Sequence, residues 1–248
     1  MRVALVDLQA SRLDTLSAEL ESEGAQVVSR ALDVSNATEF QDFAQQCRAD
    51  HGAPDLLFNN AGILRIGQTW SHSFEGWQKI LSINVMGVVN GLNAFVPAML
   101  EAGKPAHIVN TGSVGSLVAA PGMAQYTACK MAVRGITESL AYDLAAIEAP
   151  IDVSLLCPGP VLTSISDELL GIEAGAEQPD PAEHLMAGQP GFITAEECAN
   201  RVFAAIREGR FWIFTHPFNY YIHDKTQAIV EGANPVYLEV EFDADAAY

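Results

Sequence analysis

Ala106-His107-Ile108-Val109-Asn110-Thr111-Gly112-Ser113 and Met123-Ala124-Gln125-Tyr126-Thr127-Ala128-Cys129-Lys130 stand either side of a short connection containing glycine and proline. The first run is short and apolar, as a buried strand is. The second opens a periodic segment that continues to Ile147, as a helix does. The same alternation extends outward in both directions. Towards the start, strand-like Val3–Val6 precedes a helix over Ser11–Glu23 that stops at Gly24. Gln26–Ala31 then precedes a helix opening at Asn36, with Glu39 placed to complete a capping box, and Asp55–Phe58 precedes a long helix around Phe74–Leu100. Towards the end, Ile151–Cys157 leads into an irregular stretch. A helix then begins at Thr194-Ala195-Glu196-Glu197, and Phe211–Thr215 is a last short strand. Strands alternating with helices predict one α/β domain built on a doubly wound parallel sheet, with residues 1–216 as its body.

Within that frame, Tyr126 and Lys130 lie four residues apart on one helix face, where an ammonium can lower the pKa of a phenol. Ser113, at the end of its apolar run, can aim a hydroxyl at the same point. Such a trio can move a proton on and off an alcohol or carbonyl oxygen.

Further groups stand in register with these three. Asn59-Asn60-Ala61-Gly62 follows the third strand, Asn84-Val85-Met86-Gly87 lies on the next helix, and Pro158-Gly159-Pro160-Val161 follows Val153–Cys157. Together with Ser113, Tyr126 and Lys130, this order and spacing resembles the short-chain dehydrogenase/reductase family from about Val3 to about Thr215. The resemblance implies hydride transfer between a nicotinamide cofactor and an alcohol carbon. Tyr126 would be the acid/base, supported by Ser113 and Lys130, and Asn84 would hold a water that links Lys130 to solvent. It also implies a cofactor site. Asp7 would take the adenosine ribose hydroxyls, Asp33 and Val34 the adenine edge, and Asn60, Ala61 and Gly62 the turn against the ribose. Lys130 would hold the nicotinamide ribose beside Tyr126, and Pro158, Gly159, Val161 and Thr163 would wrap the nicotinamide. An acidic Asp7 followed by Leu8, where relatives that prefer NADP often carry arginine, points to NAD over NADP.

Members of that family begin with a strand and a glycine-rich Thr-Gly-x-x-x-Gly-x-Gly turn, whereas no Gly-x-x-x-Gly occurs in the first fifty residues here. The resemblance therefore carries the expectation that a first βα unit and its glycine loop are missing. It also admits a rival reading, a scaffold or binding protein of the same fold with an impaired cofactor cradle. Residues 164–191, rich in Gly, Pro, Ala and Glu, correspond to a substrate lid, and residues 217–248 form an acidic tail, either a subunit contact or a loose end. The pocket-side residues Leu64, Val114, Leu117, Val118, Met123 and Leu162 are mostly apolar and fit a hydrophobic secondary alcohol or ketone. The helices over Gln78–Leu100 and Met123–Ile147 resemble those that pack family subunits, which implies a homodimer or homotetramer.

Composition sets outer limits. A formal net charge of −18 over 248 residues argues against nucleic acid and anionic membrane partners. Cys47, Cys129, Cys157 and Cys198 form no Cys-x-x-Cys pair and indicate a reduced, cytoplasmic setting. The six histidines show none of the paired spacing of a metal site, so no metal is expected. Ile80–Leu100 is uncharged and long enough to cross a bilayer. Asn84, Asn90, Asn93 and Pro97 within it favour a helix buried in protein, with no membrane partner.

Overall fold

The computed structural model describes residues 1–165, 189 and 191–237. The expected lid (164–191) and the acidic end of the tail therefore lie largely outside the described residues.

The chain opens with β1 (Arg2–Asp7), α1 (Ala10–Ser22), β2 (Gln26–Ala31), α2 (Ala37–His51) and β3 (Leu56–Asn59). A continuous helical stretch follows as α3 (Phe74–Leu81), a π-helical segment (Ser82–Met86) and α4 (Gly87–Ala102). Next come β4 (Ala106–Thr111), a 3₁₀ turn (Val114–Ser116), α5 (Ala124–Ala146), β5 (Ile151–Cys157) and β6 (Val161–Leu162). The described remainder is β7 (Ile193–Thr194), α6 (Ala195–Arg207), β8 (Trp212–Phe214) and α7 (Asn219–Val230). This order gives no support to the expectation that a first βα unit is missing. Arg2–Ser22 is itself a complete strand and helix at the head of the chain.

Local chemistry fixes several boundaries. Asn36 Oδ1 accepts the Glu39 N–H at 3.3 Å to start α2, and Thr194 Oγ1 accepts the Glu197 N–H at 3.1 Å to start α6. Gly103 ends α4 at φ +59°, where the left-handed conformation favours glycine. The expected helix around Phe74–Leu100 runs from Phe74 to Ala102 and is interrupted by the π segment, a local widening that recurs at functional sites. It holds Asn84, one of the expected site residues. The tail was expected to be a contact or a loose end, yet it carries α7, and Phe218 and Tyr221 are buried against the body.

Every strand pairing is parallel, as expected, but the strands do not form one continuous sheet. Among the described residues, β1 pairs with β2 alone, β3-β4-β5-β8 form a second sheet, and β6 pairs with β7. β4 and β5 are sandwiched, with Ile108, Val109, Leu155 and Cys157 fully buried. β3 is covered on one face alone. Leu57 and Asn59 are buried, whereas Leu56 and Phe58 remain 37% and 39% exposed. The two halves are joined by side chains instead of a ladder. Leu32, Phe40, Phe43 and Cys47 from the β2–α2 side share one core cluster with Leu57, Phe95, Met99 and Ile108.

A buried polar chain crosses the second sheet. Asn59 Nδ2 donates to Asn110 Oδ1 at 2.8 Å, Asn110 Nδ2 donates to Thr137 Oγ1 at 3.0 Å, and Thr137 Oγ1 donates to the Val133 carbonyl at 2.7 Å. It links β3, β4 and α5. Gly91 of α4 covers it so closely that an added Cβ would lie 2.0 Å from Asn59 Oδ1. Gly91→Ala is therefore expected to destabilise the protein by roughly 1–3 kcal/mol or more through overpacking. Gly135→Ala, on an open face of α5 with nothing within 4 Å of the new Cβ, is expected to stabilise it by about 0.5–1 kcal/mol. Urea unfolding of the two variants should give midpoints displaced in opposite directions.

Candidate active site

The candidate residues gather where β3, β4 and β5 end, the edge at which open α/β sheets bind ligands. Ser113 follows β4. Its Oγ accepts the Gly115 N–H at 3.1 Å and its own N–H donates to Ser116 Oγ at 3.1 Å, so the 3₁₀ turn is capped in both directions. Ser116 Oγ in turn donates to the Lys130 carbonyl at 2.9 Å, which locks this turn to the first turns of α5. Tyr126 projects from those turns with its ring beside Gly115, where an added Cβ would lie 3.7 Å from Tyr126 Cδ1, and the neighbouring Ser113 hydroxyl acts on its phenol. Lys130 is buried. Its Nζ donates to the Thr111 carbonyl at 2.8 Å and sits 5.4 Å from the Tyr126 ring centroid.

Burial dominates the electrostatics. It raises the Tyr126 phenol above its ordinary 10.0, opposed by the Ser113 hydrogen bond. The lowering expected from Lys130 is not seen, because desolvation sets the direction and the opposing contribution comes from Ser113. Burial also drops Lys130 from 10.5 to about 8, so that near neutrality the amine lies close to losing its charge.

Asn84 is buried in the π segment, and its amide braces the chain after the Asn60–Gly62 turn. Oδ1 accepts the Ile63 N–H and Nδ2 donates to the Ile63 carbonyl, both at 2.8 Å. One lone pair and one amide proton remain for the expected link to Lys130. Gly62 is the point where both approach: an added Cβ would lie 3.4 Å from Asn84 Oδ1 and 3.6 Å from Lys130 Nζ. Asn60 is drawn in by Thr111 Oγ1, which donates to Asn60 Oδ1 at 2.8 Å, and Ala61 between them is exposed. Pro158 is drawn in by its carbonyl, which accepts the Val114 N–H at 3.0 Å. Gly159, Val161 and Thr163 continue that loop, with Thr163 Oγ1 3.5 Å from the Val161 carbonyl.

The remaining candidates sit at or just past the ends of the first two strands. Asp7 ends β1 and uses Oδ1 to accept the Gln9 N–H at 2.8 Å. Asp33 uses Oδ1 to accept both the N–H and the hydroxyl of Ser35, at 2.8 and 2.7 Å. Val34 is tied to α4, since Asn90 Nδ2 donates to its carbonyl at 2.8 Å. Asp7 and Asp33 offer carboxylate oxygens of the kind to which ribose hydroxyls and an adenine amino group can donate. The β1–α1 turn, Asp7-Leu8-Gln9, holds no glycine to cradle phosphates.

Two residues of this region escaped the sequence reading. Arg12 of α1 donates to Ser164 Oγ at 3.2 Å across 152 positions, joining the first βα unit to the loop after β6. His216 accepts the Gly159 N–H. α7 also walls a cavity with Val118 and Ala119, through Tyr221, Lys225 and Ala228, which places the tail beside Val118, one of the candidate pocket residues.

An α/β domain carrying a serine–tyrosine–lysine site at the ends of its parallel strands defines an oxidoreductase-type architecture. The family model described as short chain dehydrogenase matches residues 1–171, and the chain belongs to that family. Among curated relatives, it is 32% identical to a "CLA biosynthesis dehydrogenase/reductase" of Lactiplantibacillus plantarum, across 96% of this chain and 88% of that protein. It is 31% identical to a "1-deoxy-11-beta-hydroxypentalenate dehydrogenase" of Streptomyces exfoliatus, across 86% and 74%. Among solved structures, a short-chain dehydrogenase/reductase from Burkholderia phymatum in complex with NAD is 35% identical. It superposes at a TM-score of 0.86 over 97% of this chain and 89% of that one. A gluconate 5-dehydrogenase from Burkholderia cenocepacia in complex with NADP and tartrate is 26% identical at 0.67, over 85% and 82%. A nicotinamide cofactor is thus common to the family neighbourhood, with both NAD and NADP represented.

The buried Lys130 gives a measurable signature. Its folded pKa of about 8 lies below the ordinary 10.5, so between those values the unfolded chain binds more protons and stability rises with pH. The contribution is about 3 kcal/mol across that window. Cys47 and Cys129, pushed up to about 11, and Cys157, pushed up to about 12, act in the opposite sense above pH 9, because the unfolded thiols ionise first. The difference between wild type and Lys130→Met isolates the lysine. In denaturant unfolding, the stability of wild type relative to the variant should climb by about 3 kcal/mol from pH 7 to pH 10.5. A constant difference would contradict a desolvated amine.

Proposed function

We propose that this chain is an oxidoreductase that transfers hydride reversibly between NAD(H) and the carbinol carbon of a hydrophobic secondary alcohol or ketone. The observation that carries this reading is buried Lys130, its Nζ 5.4 Å from the Tyr126 ring centroid, on the helix turns that Ser116 ties to the Ser113 turn. The nicotinamide ring, when bound, supplies the hydride acceptor or donor. The protein's own groups handle the proton. In oxidation the substrate hydroxyl proton passes to the Tyr126 oxygen as the carbon gives up hydride and the carbonyl forms. In reduction the phenol returns that proton to the oxygen. Ser113 holds the substrate oxygen and stabilises the charge that develops there. Tyr126, kept protonated by burial, is prepared for the reductive direction. As a base it needs added positive charge nearby, from Lys130 or an oxidised nicotinamide.

Tyr126→Phe removes the ionisable oxygen alone. It should lower turnover by at least about 10²-fold, with NADH binding close to wild type. Retention of more than about a tenth of the wild-type rate would remove Tyr126 from this role.

NAD is the preferred cofactor in this reading, because the exposed Asp7 carboxylate at the end of β1 can accept from a ribose diol and repels a 2′-phosphate. Asp7→Ala should narrow the preference by about ten- to a hundred-fold, as loss of a charge-assisted hydrogen bond implies. Equal use of NAD and NADP by the unaltered protein would overturn the assignment. The substrate stays a class, consistent with the half-buried Val114, Leu117, Val118, Met123 and Leu162 and the buried Leu64.

A second reading, a scaffold of the same fold with weakened cofactor binding, has its own support. The β1–α1 turn carries no glycine, and β1 is not paired with β3. NADH fluorescence titration separates the two. Micromolar affinity favours the enzyme, and millimolar affinity favours the weakened cradle. We also assign this chain to self-association through the helical faces that expose Met86, Leu100, Met131, Tyr142 and Ile147, and to a reducing cytoplasmic setting consistent with its four free thiols.

A further inference from the structure

His216 lies just past β8 and is buried, yet both ring nitrogens are engaged by chain segments far away in sequence. Nδ1 accepts the Gly159 N–H at 3.2 Å and lies 2.7 Å from Thr215 Oγ1, and Nε2 lies 2.8 Å from the Gly191 carbonyl. The backbone N–H of Gly159 can only donate, so Nδ1 must offer a lone pair. The Gly191 carbonyl can only accept, so Nε2 must carry the proton. The network thus selects the neutral Nε2–H tautomer. The ring packs so tightly on Gly159 that an added Cβ would lie 2.7 Å from Nδ1 and 2.7 Å from Phe218 Cζ. Gly159 belongs to the Pro158–Thr163 loop, and Gly191 stands just before β7. Those two segments also meet directly, as β6 pairs with β7 and the Ile193 N–H donates to the Pro160 carbonyl at 3.2 Å.

We propose that neutral His216 is a positioning residue that clamps the Pro158–Thr163 loop to the Gly191–Thr194 segment, and that protonation of its Nδ1 opens this clamp. A proton on Nδ1 confronts the Gly159 N–H head-on and converts an acceptor into a second donor. The Thr215 hydroxyl can reverse to accept from it, but the Gly159 N–H then keeps only Thr215 Oγ1, 3.2 Å away. Burial pulls the His216 pKa below 6.5. The Gly191 and Pro160 carbonyls and the carboxylate of Glu197 act against that, while Arg201 acts with it. Arg201 and Glu197 of α6 are ion-paired to each other, and Arg201 also donates to the Thr215 carbonyl. The clamp is therefore closed at neutral pH and weakens as pH falls below 6.5. Its consequence for catalysis rests on the reading above, in which the Pro158–Thr163 loop faces the nicotinamide.

Amide hydrogen exchange on the full 248-residue chain, without cofactor, tests the clamp independently of that reading. Corrected for intrinsic rates, protection of the Gly159 and Ile193 amides should fall at least about tenfold as pH drops from 7.5 to 5, with β4 amides such as Val109 as the internal reference. His216→Phe should show the low protection at every pH. His216→Asn, which can present an acceptor where Nδ1 stood, should recover part of it for Gly159 without the pH dependence. Wild-type protection that is flat across this range, or unchanged in both variants while β4 stays protected, would overturn the proposal. NADH titration of the same proteins then addresses the dependent claim. If the exchange pattern appears but NADH affinity is identical in wild type and His216→Phe, the clamp stands and the placement of this loop against nicotinamide falls.

Discussion

The candidate site depends on how α5 is fastened to the sheet. Tyr126 and Lys130 are useful only if that helix holds a fixed height and rotation over the ends of β4 and β5. Buried polar groups fix both. The Asn59–Asn110–Thr137 chain ties β3 and β4 to the middle of α5, the Ser116 hydroxyl ties the 3₁₀ turn to the Lys130 carbonyl, and Lys130 Nζ reaches the end of β4. Apolar packing alone tolerates small rotations of a helix, whereas a buried hydrogen-bond chain loses its partners at once.

The same burial sets the chemistry. Enclosing Tyr126 and Lys130 pushes both towards their neutral forms, raising one pKa and lowering the other. A pair of this kind is poised so that a modest added charge shifts the proton. The thiols of Cys129 and Cys157 lie in the same enclosed region and are also pushed up, so none of the ionisable groups around Lys130 offers it a permanent counter-ion.

The β1–β2 pair stands apart from this rigid half. It is held through α2, α4 and a shared apolar cluster, with the Arg12–Ser164 hydrogen bond reaching across the site. Side-chain packing replaces a backbone ladder there, and β3 leaves Leu56 and Phe58 on show as a result. Asp7, Asp33 and Val34 are therefore positioned less directly than Ser113, Tyr126 and Lys130.

Much of this was legible in the residues. The alternation of apolar runs with periodic segments gave the βα order. Asn36 and Thr194 marked helix starts, and the spacing of Ser113, Tyr126 and Lys130 marked the site, because helical geometry turns a spacing of four into a shared face. Three features could not be read in this way. The break between β1 and β3 depends on which strand edges meet, and edge pairing is a property of the whole sheet. The raised Tyr126 pKa depends on how much water the assembled fold removes, which no local spacing encodes. His216 sits in Thr215-His216-Pro217, a stretch with no signature of its own, and gains its role from glycines 57 and 25 positions away. The sequence by itself determined the elements and the shared helix face of Tyr126 and Lys130, since these follow from short-range periodicity. The tertiary structure decided which edges pair, which charges are desolvated and which distant loops share one imidazole, since each of those requires parts of the chain that meet only on folding.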